Sequence, residues 1–491
     1  MPAPFIPSAV PRRRCSCRYP VEVPYSLLLD ASAATAQYLS RAYSTAATVT
    51  VFAAVKRGAL GALSPILGSV LYFDASDHLV AWGTTTAEYF RDPSAWYLIE
   101  AGPSGLRVNG VVLATSLATA AVVNQPVGYN GSNRFDGYLA EIHVVDGLDV
   151  VGQFTAARGQ AAVCAGYSGS HGAAGTHLAF SNAAALGADA AGVGNWTVNG
   201  APVQTPDGPT INRCVLNRLG ANLRTPTTVQ EANLYWSNAS GSLAVAVLGT
   251  LCVQGRAYWE ATCVASGASF SLTHCVVGVA RADMFLGEGG FPRPGEYGYS
   301  ANGNIFTDGV ASMLGAGFTT GDVVGVAVDT ETGRVWIAVN GAWIGDGDPA
   351  SGENPAIEIV APVPDLQPLV QGYAGATWRI NCGHRAFQYT PPSGFLPGVS
   401  TAGLGCDLEV LAGEYTGNGS ADGPVVWTGC ELESLTIGAT TYYNDSSAGV
   451  VDFLATGFKL RTTSAPNTSS TTYTWSGVRR VAVKCATAGV N

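Results

Sequence analysis

The residues best equipped for chemistry are few and widely spaced. Asp346 and Asp348 stand two apart in the Gly-rich run Trp343-Ile-Gly-Asp-Gly-Asp-Pro. Glycan hydrolysis needs two carboxylates flanking the scissile bond. An i, i+2 pair in a loop does not fix that separation, and no apolar wall adjoins it in sequence to raise either pKa. The same spacing offers oxygens to calcium, but without the twelve-residue series of an EF-hand loop. The pair therefore reads as a hydrogen-bonded turn. Among the histidines, His78, His143, His274 and His384 sit in or beside strand-like runs and read as structural, while His171 and His177 flank a Gly-Ala loop without a clustered Cys or Asp.

Eleven cysteines are scattered along the chain, and only Cys15-Ser-Cys17 is compact. One intervening residue is poor spacing for a zinc knuckle. They read as small buried hydrophobes of a chain that folds in a reducing compartment. There is no nucleophile elbow, no dinucleotide fingerprint after a strand and no Walker motif. No catalytic residue, cofactor or metal ligand is assigned. The groups left for recognition are aromatic rings near loops, Tyr297, Tyr299 and Trp343, together with Asp346 and Asp348. Such rings can stack on sugars or anchor a protein partner, whereas Trp336 reads as internal.

The elements that must hold these groups are strands. Of 491 residues, 47% are hydrophobic, enough for cores in three or four domains. Charged residues are only 12%, about half the usual share. Sixty-one glycines and 26 prolines favour tight turns over long helices. A net charge of −10 gives no general attraction to phosphate backbones, so no nucleic-acid partner is expected. The basic run Arg12-Arg13-Arg14, with Arg18 behind it, reads as a docking terminus. Its arginines follow the weakly apolar opening, unlike a secretion signal. The best uncharged stretch, 111–123, is too short to span a bilayer, and no membrane insertion is expected.

Five regions follow. Residues 1–24 are a docking arm, and 25–147 a β-sandwich in which Asn109-Gly110 marks a hairpin. In the strand near its end, alternation puts Tyr138, Ala140 and Ile142 on one face and Leu139, Glu141 and His143 on the other. Residues 148–240 are a Gly/Ala/Pro-rich connector. Residues 241–396 form a second sandwich whose clearest part is the meander 322–341, with Val335, Ile337 and Val339 opposite Arg334, Trp336 and Ala338. Residues 404–491 are a small β domain. The fold class is all-β, with serial sandwiches.

The text Phe135-Asp-Gly-Tyr-Leu-Ala-Glu-Ile-His-Val-Val-Asp-Gly147, with Phe90–Tyr97 and Gly105–Gly110 before it, resembles the laminin-G/concanavalin-like module of bacteriophage tail and other virion proteins. Ala257-Tyr-Trp-Glu260, Gly298–Asn304, Gly321–Asp329, Val335–Gly341, Trp343–Ala350 and Phe387–Phe395 are similar to a SPRY domain of the phage-associated type. Residues 415–424 and 452–461 resemble the module that follows such domains. The resemblance implies a non-enzymatic virion protein, made in the host cytoplasm, in a tail fibre or spike that attaches to the host surface. Its implied partners are other virion proteins through residues 1–24 and a host glycan or protein, met by a homo-oligomer such as a trimer. The alternatives are a head or tail decoration protein without a receptor and, less favoured, a glycan depolymerase.

Overall fold

Asn-Gly pairs close hairpins because both residues accept positive φ and their twist matches that of the flanking strands. Asn109 and Gly110 take φ of 51° and 79° between the paired strands Gly105–Val108 and Val111–Ala114. Asn340 and Gly341 do the same, at 48° and 81°, between Arg334–Val339 and Ala342–Trp343. The computed structural model describes residues 20–158, 161–219, 227–239, 244–267, 274–282, 284, 293–373, 375–401, 410–428, 432–443, 449–454 and 456–479. These residues form an all-β protein of several sheet modules, with no α-helix among them. No helix among them is long and apolar enough to cross a membrane. Residues 1–19, most of the expected docking arm, lie outside the described residues, but Val23 behind them is buried and its N–H donates to Thr210 Oγ1 (3.1 Å).

The first unit packs a four-stranded meander, from Ser64–Leu67 to Thr84–Tyr89, against an eight-stranded sheet. In that sheet Val49–Arg57 lies between Trp96–Gly102 and Gly137–Asp146. All nine residues of Val49–Arg57 are buried. Val49, Val51, Ala53 and Val55 face the meander, while Phe52 and Ala54 face the second unit. A sheet covered on both faces needs apolar residues on both, hence the unbroken Val-Thr-Val-Phe-Ala-Ala-Val.

The expected alternation in Gly137–Asp146 breaks at one residue. Ala140 pairs with Ala54 and His143 with Phe52, so two residues oppose one. Glu141 takes φ of 48° at this bulge. Side chains beyond it change face: Tyr138, Ala140 and Val145 join the core shared with the second unit, whereas Leu139, Ile142 and Val144 join the first unit's own core. Ile142 is thus opposite Ala140, and His143 opposite Leu139.

Residues 148–240, read as a connector, supply strands to the units on either side. Thr176–Leu178 pairs with Gly137–Asp146, and Val203–Thr205 with Ser26–Leu29. Tyr235–Asn238 joins the second unit through Thr377–Asn381. Strands this short and polar carry little period of their own; pairing to an existing edge defines them.

The second unit stacks a nine-stranded sheet, centred on Arg256–Ala265 and Val323–Asp329, on a six-stranded one running from Val245–Leu248 to Val310–Met313. Val335 and Ile337 face the interior as the alternation predicts. Trp336 points to the other face yet is buried, its ring at 6.0 Å from that of Phe395 and its Nε1 donating to Glu353 O (2.8 Å). The third unit pairs a four-stranded with a three-stranded sheet over Leu435, Phe453, Phe458 and Leu460. Cys164, Cys214, Cys252, Cys263, Cys275 and Cys382 are buried, in keeping with their reading as small hydrophobes; the other five lie outside the described residues.

The first two units meet on a buried ionic cluster. Lys56 Nζ donates to Asp207 Oδ2 (2.8 Å), Asn212 Oδ1 (2.7 Å) and Arg213 O (2.7 Å), using all three ammonium protons. His384 Nε2 lies 3.1 Å from the same Asp207 oxygen. Burial raises the Asp207 carboxyl, but the Lys56 charge and the His384 hydrogen bond outweigh it and hold the pKa at about 2. Burial lowers His384 to about 4 against the pull of Asp207.

Both folded-state values lie below the ordinary ones, so the unfolded chain binds more protons in acid and these two groups contribute less stability as pH falls. The His384 contribution is complete above pH 6.5 and is lost between 6.5 and about 4; that of Asp207 is lost from 3.8 to about 2. The change in thermal unfolding midpoint between pH 7 and pH 4 should therefore be less unfavourable to the fold in His384→Gln than in wild type. In the background, His143, held down to about 4, acts in the same direction, and Glu296 and Asp136, raised by burial to about 7 and about 6, act in the opposite one.

Candidate functional site

Tyr297 and Tyr299 are corrected as loop residues. Both lie in the strand Glu296–Ser300, where every residue is buried. Both join the interior cluster, and Tyr299 Oη accepts the Gly317 N–H (2.8 Å). They support the sheet and are not offered to a ligand.

Trp343 stays partly open. Its ring meets Tyr258 edge-on at 6.2 Å, on the outer face of the nine-stranded sheet beside Trp336 and Phe395. The turn after it is Ile344–Asp346, in which Gly345 and Asp346 take φ of 63° and 55°. Asp346 is exposed, and its backbone carbonyl accepts from Asn354 Nδ2 (3.0 Å). Asp348 is fully used by its own turn. Oδ2 accepts from Ser351 Oγ (2.7 Å), while Oδ1 accepts the N–H groups of Ala350 (3.0 Å) and Ser351 (3.3 Å). Those bonds hold its carboxyl below the ordinary value, the Ser351 hydroxyl first among them. A carboxylate ionised and capped in this way is poorly suited to donate a proton.

The exposed apolar groups beside this turn were not legible beforehand. Val310–Met313 is the outermost strand of the six-stranded sheet, with all four residues exposed, Val310 at 67% and Met313 at 69%. Leu314 follows, 40% exposed, with its methyls against Gly345; a Cβ on Gly345 would meet them at 3.4 Å. Edge strands are usually blunted by charge or proline, and Val-Ala-Ser-Met has neither. A second feature is a cleft of about 390 Å³ between the second and third units, lined by Asp365, Glu414, Tyr415, Trp427 and Trp475 among others.

The histidines differ most from expectation. His171 and His177, separate in sequence from any partner, stand with His143 in one cluster on the first unit. His177 is the direct cross-strand partner of His143, in the register that pairs Thr176–Leu178 with Gly137–Asp146.

A family model for the SPRY domain matches residues 256–381. No curated protein matches the chain. Among solved structures, the chain is similar to the SPRY domain of human HERC1 at 20% identity, covering 35% of this chain and 93% of that one, with a TM-score of 0.23. It is similar to a human SPRY domain at 16% identity, with 32% and 94% covered and a TM-score of 0.25. A stonustoxin structure matches at 14% identity and a TM-score of 0.26, with 34% of this chain and 27% of that chain covered. The family match supports the SPRY and β-sandwich part of the expected family and lends no support to the bacteriophage, virion and tail-fibre assignment, which is withdrawn. SPRY domains are generally non-catalytic protein-interaction modules, consistent with a non-enzymatic function. Residues 256–381 form a SPRY-like β-sandwich domain.

Proposed function

We propose that this chain is a non-enzymatic attachment protein whose SPRY-like domain binds an extended segment of a partner protein along Val310–Met313. The observation that carries the proposal is the uncharged, fully exposed edge of that strand, continuous with Leu314 and the Trp343–Asp346 turn. An unpaired edge supplies backbone donors and acceptors to an incoming strand, while flanking apolar side chains select its sequence. The half-buried Trp343 adds a rigid anchor of the kind that dominates interface energetics. In this reading the first unit is a laminin-G/concanavalin-like scaffold, residues 1–24 dock the chain to its assembly, and a homo-oligomer multiplies weak contacts by effective concentration.

Glycan binding is a second reading, favoured by the Tyr415, Trp427 and Trp475 rings that line the cleft beside the third unit. Aromatic faces stack on sugars without any need for catalysis.

Peptides selected from a random display library against the full chain, with affinities measured by fluorescence anisotropy, test the first reading. Selected peptides should bind the Val310→Lys/Met313→Lys variant at least ~10-fold more weakly, since charge blunts an edge. Failure to enrich any peptide, or peptides indifferent to that variant, would refute edge binding; saturable signal on a glycan array, lost in Trp427→Ala, would favour the cleft. The two tryptophans should separate. Trp336→Ala should lower unfolding free energy by about 3–5 kcal/mol in denaturant melts, as for a buried ring. Trp343→Ala should cost much less stability and mainly weaken peptide binding.

A further inference from the structure

The first unit carries a side-chain cluster that partner binding by the SPRY-like domain does not use. His143, His171 and His177 each offer a ring nitrogen, and these atoms lie within 4.8 Å of one another. The rings are stacked: His143 and His177 have centroids 3.9 Å apart at 16°, and His171 lies 5.3 Å from His143 at 15°. His143 Nδ1 is 2.9 Å from His171 Nε2. Glu141 Oε2 faces the Nε2 atoms of both His177 (2.7 Å) and His143 (3.3 Å).

Separate devices bring these four residues together. The bulge with Glu141 at positive φ turns His143 to the same side as the Glu141 carboxylate. Cross-strand pairing places His177 opposite His143. The loop carrying His171 is pinned by Asp146, whose N–H donates to His171 O (2.9 Å) and whose Oδ2 accepts the Ala174 N–H (3.1 Å). Gly175 is required there, since a Cβ would lie 1.9 Å from His171 O. A left-handed non-glycine residue inside a strand is strained and persists where its surroundings over-determine it.

We propose that His143, His171 and His177 form a binding site for a divalent transition-metal ion of the zinc class, with Glu141 as the carboxylate that orients two of the rings. An ionised carboxylate only accepts, so its contacts place protons on Nε2 of His143 and His177, while the contact between His143 Nδ1 and His171 Nε2 is the hydrogen bond that an entering ion would replace. The carboxylate contact is the usual outer-shell arrangement for ligating histidine. Imidazole suits zinc, copper and nickel and disfavours calcium and magnesium, which take oxygen ligands. His143 is buried against Phe52 and Phe154, whereas the His177 side chain is 21% exposed, so the cluster has a dry floor and an open side. Three protein ligands leave a fourth position for water or a partner's side chain. The ion would tie the His171 loop to the sheet.

The test is metal binding by the full chain after chelator treatment, followed by calorimetric titration with Zn²⁺ and by the visible spectrum with Co²⁺. We expect one Zn²⁺ per chain, a higher unfolding midpoint with the ion bound, and Co²⁺ d–d bands without the near-ultraviolet charge-transfer band of thiolate ligation. His171→Ala and His177→Ala, with native near-ultraviolet circular dichroism, should each weaken binding more than ~10-fold, and Glu141→Gln by roughly 10-fold. The proposal fails if wild-type protein binds no stoichiometric ion. It also fails if both histidine variants bind as wild type does, or if a thiolate band places the ion on cysteines such as Cys15 and Cys17. Should a variant not fold, the wild-type stoichiometry and Co²⁺ spectrum still decide.

Discussion

A lysine ammonium and an aspartate carboxylate, both with no solvent exposure, lie 2.8 Å apart where the first and second units meet. Taking each ion out of water costs several kcal/mol, and their attraction offsets that only when every remaining proton and lone pair is matched. Here the matching groups come from three parts of the chain. Lys56 and Trp96 belong to the first sheet, Asp207, Asn212 and Arg213 to the segment after it, and His384 to the end of the second unit. Trp96 Nε1 (3.4 Å) and the Arg213 N–H (3.2 Å) both donate to Asp207 Oδ1, and the Lys56 ammonium sits 5.2 Å from the Tyr138 ring centre. The cluster is complete only when the three segments are docked, so it sets their register as apolar contact alone would not.

Around it the two sandwiches share one apolar cluster, in which Phe52, Trp96 and Tyr138 join Trp236, Trp259 and Trp378. Gly58 allows a close approach: a Cβ there would lie 2.4 Å from Asp136 Oδ2 and 2.9 Å from Ala232 Cα. Tyr138 Oη donates to Ala232 O across the same seam (2.9 Å). The third unit is tied down by Asp452, which pairs with Arg91 of the first unit (2.8 Å) and Arg461 of its own (2.6 Å). With the nine-stranded sheet and the seam so fixed, the far edge of the six-stranded sheet is left free at Val310–Met313. The histidine cluster belongs to the other sandwich, where Gly137–Asp146 and Thr176–Leu178 pair.

Much of the strand content was legible because turn chemistry and alternation agree, as in Val323–Asp329, Arg334–Val339 and the Asn-Gly turns. Trp336 could be placed inside by its flanking strand. What failed to show were features that depend on pairing. One extra residue at Glu141 reverses every side chain beyond it, and no local composition announces a bulge. His143 and His177 are 34 positions apart and meet only through register. Short polar strands such as Val203–Thr205 and Tyr235–Asn238 have too few residues for a period, so the segment containing them looked like a linker. Tyr297 and Tyr299 sit near turn residues in sequence, but on a strand buried along both faces no ring remains available.

The claim on which the rest stands is that the Lys56–Asp207–His384 cluster couples the first sandwich to the SPRY-like one. Native-state hydrogen exchange of the full chain and of Asp207→Ala reads this directly, strand by strand. The account predicts that amides of Val49–Arg57 and of Arg256–Ala265 both lose about 3–5 kcal/mol of opening free energy, because the substitution strands a buried ammonium between them. Loss confined to one strand, or protection unchanged in both, would contradict it.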